Sequence, residues 1–280
     1  MKFGAHVSIA GGIENAPQRA HDVGCECFQI FSRSPRGGKV SELDDKTVEN
    51  FKKNLDKYNI KEFYVHAPYF INLGSKNNRI YHGSISVIRQ ELERGSKIGA
   101  KYLMVHLGSA KDLGEGKSIK KVVQGLTKIL DGYNGETKLL IEISAGAGKI
   151  IGDNFEEIAE IIKKTSAEIG VCFDTAHAFE SGYDLSTKAE VEKTFAKFDK
   201  TVGLDRLKLL HGNDSKTDLG SHSDRHEHIG KGKIGLKGFK AIVKHPKLKN
   251  VNLIIETPKG DGDKWDKKNL KLLKSLRDGK

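Results

Sequence analysis

Eight times along this 280-residue chain a short run of β-branched, aromatic or aliphatic residues is followed by an amphipathic stretch with helical period. The strand runs are residues 3–7, 27–31, 62–65, 102–105, 138–141, 171–173, 206–210 and 252–255. The helical stretches are residues 14–23, 44–58, 79–98, 119–130, 155–164, 188–200, 236–244 and 267–276. Strands that alternate with helices pair in parallel, because each helix carries the chain back to the starting edge. Eight such units, with no composition shift or linker between them, predict an α/β fold: a (β/α)8 TIM barrel, one domain spanning residues 1–280. An open doubly wound sheet is the alternative, and it usually needs fewer strands.

The last residue of each strand run carries chemistry. FYVH ends on His66, LMVH on His106, LLIE on Glu142, VCFD on Asp174, LKLLH on His211 and LIIE on Glu256. These are spaced by 40, 36, 32, 37 and 45 residues, each about one strand–helix unit. In a barrel the C-terminal strand ends ring one mouth, where active sites of this fold sit. A lone histidine closing a strand is usually a hydrogen-bonded core residue. A glutamate closing an apolar run must be paired or metal-bound, and both Glu142 and Glu256 occur so. His177 follows Asp174 by three residues, and Asp224-Arg225-His226-Glu227-His228 lies in an unusually long loop, residues 212–233. Adding His177, Asp224 and His226 gives nine candidate ligands, more than the three or four a mononuclear zinc site uses. Two or three clustered ions suit phosphoryl transfer, generating hydroxide and clamping the attacking and leaving oxygens.

The remaining features narrow the class. A formal charge of +11 favours an anionic partner, nucleic acid first. Cys25, Cys27 and Cys172 make no disulfide framework and read as buried thiols in a reducing cytosol. The start, MKFGAHVSIAGG, lacks a signal-peptide core, and no apolar window has the length of a membrane span. GEGKS at residues 114–118 lacks the first glycine of a phosphate loop, which falls on Lys111. His6 reads as structural, though it lies at the same mouth, and His21, His82, His222, His228 and His245 as surface or supporting residues.

The order GAHVSIAGG, HAPYFINLGS, VHLGS, IEISAG, CFDTAHAFESGYD, LLHGNDSK, DRHEHIGKGKIG and IIETP, running from end to end, resembles endonuclease IV, the zinc-dependent apurinic/apyrimidinic endonuclease family of base-excision repair. The resemblance implies a (β/α)8 barrel with three Zn2+ ions at its mouth, for which Mn2+ or Fe2+ are possible substitutes. It implies that His66, His106 and Glu142 hold the first ion. Glu142 would bridge to a second, held with Asp174, His211 and Glu256, and His177, Asp224 and His226 would hold the third. It further implies cleavage of the phosphodiester 5′ to an abasic site, leaving a 3′-hydroxyl and a 5′-deoxyribose phosphate, and removal of 3′-blocking groups. A hydroxide between the first two ions would attack phosphorus, with the third stabilising the departing 3′-oxygen. Glu142 is then the residue on which catalysis most depends, and Asp184 is a candidate for orienting ligands from behind. Arg36, Tyr69 and Phe70 match the positions that probe duplex DNA, while Gly37 and Gly38 depart from bulkier residues there. The expected partner is duplex DNA with abasic sites or blocked 3′ ends, met in the cytoplasm by a monomer. A metal-dependent sugar isomerase or epimerase on a related barrel is the rival enzyme, with a smaller, carboxylate-rich ligand set. A DNA-binding module with structural zinc would place cysteines at the ligand positions, which none occupies.

Overall fold

The computed structural model describes residues 1–38, 40–260 and 262–279. Eight parallel strands close into a barrel: β1 (Phe3–His6), β2 (Cys27–Phe31), β3 (Phe63–His66), β4 (Tyr102–Val105), β5 (Lys138–Glu142), β6 (Gly170–Asp174), β7 (Leu207–His211) and β8 (Asn252–Ile255), with β8 pairing back onto β1. The outer helices are α1 (Ala16–Val23), α2 (Asp45–Lys57), α3 (Asn78–Ile98), α4 (Glu115–Leu130), α5 (Phe155–Thr165), α6 (Lys188–Thr201), α7 (Gly235–Lys244) and α8 (Lys264–Asp278). Side-chain caps fix several starts: Asp44 accepts from Thr47 N at 2.7 Å, Asn77 from Arg79 N at 2.9 Å and Asn154 from Glu157 N at 2.8 Å.

The barrel separates two apolar regions, as the two-residue period of a strand requires. Outward residues such as Phe28, Val65, Leu103, Ile141, Phe173 and Ile255 pack under the helices. Inward residues form a smaller cluster, one from each of seven strands: Cys27, Tyr64, Met104, Leu140, Cys172, Leu209 and Ile254. On β1 the corresponding residue is Gly4, where a Cβ would fall 1.8 Å from the Cys27 carbonyl oxygen, so the ring closes only without a side chain. Two residues further along each strand the inward position recurs, at His6, Gln29, His66, His106, Glu142, Asp174, His211 and Glu256. These positions form the mouth. The register slips by two residues in one sense where Gln29 faces Tyr64, His66 faces Met104, Glu142 faces Cys172 and His211 faces Ile254. Four slips of two give the stagger of eight typical of this barrel.

Departures from the sequence reading are local. Helix α4 begins at Glu115, four residues before the expected start, because its Gly116 weakens the helical pattern without breaking the first turn. A six-residue helix, Thr175–Glu180, starts directly from β6, with Asp174 Oδ1 accepting from Ala176 N at 2.7 Å and His177 N at 3.0 Å. The long loop after β7 folds back as an antiparallel ribbon, Asp214–Ser215 against His226–Glu227. Buried Asp214 ties its far end by accepting from Gly232 N at 3.0 Å and Ile234 N at 3.0 Å. Among the described residues no helix is long and apolar enough to cross a membrane.

Candidate metal centre

The six strand-end residues, the short helix and the ribbon bring their donors together in three overlapping groups. Ligand atoms of His66, His106 and Glu142 lie within 4.8 Å of one another, as do those of Glu142, Asp174, His211 and Glu256, and those of Asp174, His177 and His226. Glu142 is fully buried and stands at the junction: its Oε2 is 3.0 Å from His66 Nε2 and 3.5 Å from His106 Nε2, and its Oε1 is 2.9 Å from His211 Nδ1. Glu256 Oε2 is 3.2 Å from His211 Nδ1. Asp224, more exposed, sits 3.4 Å from His177 Nε2 and 3.6 Å from His226 Nε2.

Hydrogen bonds behind the histidines decide which nitrogen faces the centre. His66 Nδ1 donates to the Ala67 carbonyl at 2.6 Å, His177 Nδ1 to Ile143 O at 2.9 Å and His226 Nδ1 to Glu256 O at 3.1 Å. In the neutral rings each Nε2 then carries a lone pair aimed inward. His211 is turned the other way: its Nε2 donates to Gln29 Oε1 at 2.8 Å, leaving Nδ1 for the centre. Gln29 Nε2 in turn donates to Glu256 Oε1 at 2.6 Å and reaches His6 Nδ1 at 2.9 Å. Asn213 is a second support, donating to Asp174 Oδ2 at 2.6 Å and accepting from Glu256 N at 2.7 Å. Lone pairs and carboxylates converging in a buried space repel unless a proton or a cation lies among them, and this mixture of imidazole and carboxylate suits divalent ions of the zinc class. The donors therefore fit the metal cluster expected at the mouth.

The electrostatics agree. Burial works to raise the Glu142 carboxyl, yet the charged His211 ring and the hydrogen bonds from His211 and His66 hold it well below the usual carboxylate range. The hydrogen bond from His177 keeps Asp224 down at about 2. Burial disfavours the charged rings, but the carboxylates overcome it at His66, at His177 and at His211, and all three rise. At His106 burial wins and the ring is held neutral, with a buried Nδ1 that has no partner among the described residues. Cys172 also lies close to Glu142 and His211, and burial pushes its thiol up to about 12, so in the absence of a metal it stays protonated.

Several sequence expectations change. Gln29 and Asn213 were missed: neither is an ordinary ligand type, though Gln29 occupies the last inward position of β2. His6 lies at the mouth as expected, facing Glu256 at 3.4 Å. Asp184 is not among the supports; its carboxylate accepts from Ser186 N at 2.8 Å. His228 and His245 are buried rather than on the surface, and His228 stacks on Trp265 at 3.9 Å. Tyr69 and Phe70 are exposed at 70% and 43%, and Tyr69 leans over the mouth with its ring 5.1 Å from Phe31. Phe70 lies against Gly37, where a Cβ would meet its ring in ordinary contact at 3.7 Å; it is the backbone φ of 91° that favours glycine at this position. Arg36 is in the same loop, which Pro35 ties to Tyr69 N at 3.3 Å.

Comparison with known proteins agrees with this geometry. A family model described as a xylose isomerase-like TIM barrel matches residues 17–276. The chain is 41% identical to a probable endonuclease 4 of Halothermothrix orenii, over 98% of this chain and 99% of that one. It is 43% identical to a probable endonuclease 4 of Nitrosopumilus maritimus, over 99% and 100%. The solved structure of endonuclease IV from Thermus thermophilus superposes with a TM-score of 0.89, at 33% identity and full coverage of both chains. A D-tagatose 3-epimerase-like protein shares the fold alone, with a TM-score of 0.73 at 20% identity. With full-length relatives of this similarity and a mouth built from the nine expected donors, the chain belongs to the endonuclease IV family.

Proposed function

We propose that this protein is a DNA-repair nuclease that hydrolyses the phosphodiester 5′ to an abasic site in duplex DNA, leaving a 3′-hydroxyl and a 5′-deoxyribose phosphate, and that also clears blocked 3′ ends. The observation that carries the reading is the joining of three donor groups through two buried carboxylates, Glu142 between the first and second and Asp174 between the second and third. His66, His106 and Glu142 would hold one zinc ion, Glu142, Asp174, His211 and Glu256 a second, and His177, Asp224 and His226 a third. Bound there, such ions activate water near neutral pH and neutralise the charge that develops on the leaving oxygen.

The protein's own contribution is order. Backbone carbonyls and Gln29 lock the histidine rings so that lone pairs rather than N–H groups face the substrate phosphate's site. Burial of Glu142 and His211 keeps bulk water from screening the charges. Asp224, held ionised, closes the outer side of the mouth. No side chain here is required as a general acid. Arg36, Tyr69 and Phe70 stand at the rim, where an arginine and exposed rings suit insertion beside an extruded abasic nucleotide.

The test is a nicking assay on a duplex carrying one tetrahydrofuran abasic analogue, beside an undamaged duplex, before and after metal stripping. Cleavage at the analogue alone, lost on stripping and restored by zinc, is expected. No cleavage by protein shown to hold its metals would overturn the reading. Trimming of a 3′-phosphoglycolate end in the same preparation tests the second activity.

A further inference from the structure

The loop that follows β8 places a lysine on the wall of the mouth. Lys259 borders the same cavity of about 410 Å³ as His6, His106, Asp224, His226 and Glu256. Its ammonium donates to the His6 carbonyl oxygen at 2.8 Å and to Asp266 Oδ2 at 2.6 Å. Asp266, on the first turn of α8, is 3% exposed, and its Oδ1 is buried without a hydrogen-bond partner among the described residues. A carboxylate so placed has a desolvation cost that one ammonium offsets only in part, which is a weak design for stability alone. The lysine it holds is still 46% exposed. An ammonium has three N–H donors. Two are engaged by the protein, and the described residues offer the third no acceptor.

The segment around Lys259 is also braced. Trp265 stacks on His228, Asn269 Nδ2 donates to Thr257 Oγ1 at 2.9 Å, and a Cβ on Gly260 would lie 3.3 Å from Trp265. Lys231 and Lys268 lie over the Trp265 ring at 4.2 Å and 4.5 Å, extending the positive wall outward. A tethered lysine loses little further freedom on meeting a ligand, so its contact costs less entropy than that of a free surface lysine.

We propose that Lys259 is a phosphate-positioning residue. Its third N–H meets a non-bridging oxygen of the substrate strand's phosphodiester at the mouth, and Asp266 with the His6 carbonyl fixes the ammonium for that contact. The assignment rests on the function proposed above. It predicts a residue that governs how the strand is seated and leaves the chemical step to the donors at the centre.

The experiment compares wild type with Lys259→Met, Lys259→Arg, Asp266→Asn and, as a control for general charge loss, Lys52→Met on exposed α2. Steady-state nicking of the tetrahydrofuran duplex and equilibrium binding across a salt series are measured on metal-replete protein. For Lys259→Met the expected result is a KM raised roughly tenfold with kcat within about threefold, and a salt slope lower by about one. Lys259→Arg should restore most of the KM, Asp266→Asn should fall between, and Lys52→Met should change neither. Should Asp266→Asn fail to fold, the two Lys259 variants on their exposed loop still decide. A wild-type KM and salt slope in Lys259→Met would overturn the assignment, as would an equal change in Lys52→Met. Wild-type protein that leaves the abasic duplex intact would overturn the functional reading and this assignment together; active wild type with an unaltered Lys259→Met would overturn this assignment alone.

Discussion

His177 Nε2 and His226 Nε2 face each other at 3.2 Å while each ring's Nδ1 donates to a backbone carbonyl. Were both rings neutral their lone pairs would face one another, so the pair requires either the proton that the neighbouring carboxylates favour on His177 or a cation in its place. His226→Ala should therefore cost about one ion per chain. An ion at a developing charge supplies several kcal/mol, so kcat should fall at least ~100-fold. Metal analysis and turnover on the abasic duplex check this together; full metal content with normal turnover would remove His226 from the centre.

Glu142 is the junction of two donor groups, so Glu142→Gln should disturb both. The amide is nearly isosteric, and the melting curve should still show one cooperative transition. Nicking should be lost, because the buried negative charge between His66, His106 and His211 is gone. Turnover near that of wild type in a metal-replete preparation would contradict the assignment.

Gln29 is not itself a candidate ligand, yet it holds two of them, donating to Glu256 and selecting the ring nitrogen that His211 presents. Gln29→Leu should free that ring and weaken metal affinity by roughly 10–100-fold, as loss of a supporting hydrogen bond does at other metal sites. Chelator competition measures the effect. Unchanged affinity would mean that packing alone holds His211.

Away from the mouth, Glu157 in the first turn of α5 is buried, and burial pushes its carboxyl up to about 7 despite the N–H it accepts from Gly152. An unfolded glutamate ionises near ~4.3. Between those values the native state keeps a proton the unfolded chain has released, so stability falls as pH rises through the window and levels off above about 7. Glu157→Gln cannot titrate and should lack this contribution. The stability difference between the two proteins should change by on the order of 1–2 kcal/mol across the window, less than full burial would give because water screens part of the shift. Denaturant unfolding at pH 4.5 to 8 tests it; parallel curves would show that Glu157 is solvated.

The strand-end donors were legible because a strand repeats every two residues. Once Leu140 or Leu209 is read as inward, Glu142 or His211 must be inward too, and eight strand–helix units leave the barrel as the natural way to bring such ends together. The supports were not legible. Gln29 falls in CFQIF, an apolar run whose direction is set by pairing on both sides, and its role appears only when barrel closure brings the inward face of β2, beside His6 on β1, within reach of His211 on β7. Lys259 and Asp266 are seven residues apart across a turn whose course depends on Trp265 packing.

The sequence by itself determined the order of elements, the face that the strands closing on a histidine or carboxylate turn inward and the chemical type of all nine candidate donors, since these follow from local periodicity and side-chain identity. Only the tertiary structure decided which donors share a space and which ring nitrogens they present. That depends on the four register slips, which set the heights of neighbouring strands, and on the ribbon after β7, which carries His226 back to His177 from 49 residues away. Distances between segments are fixed by closure of the whole barrel, a property no local stretch encodes.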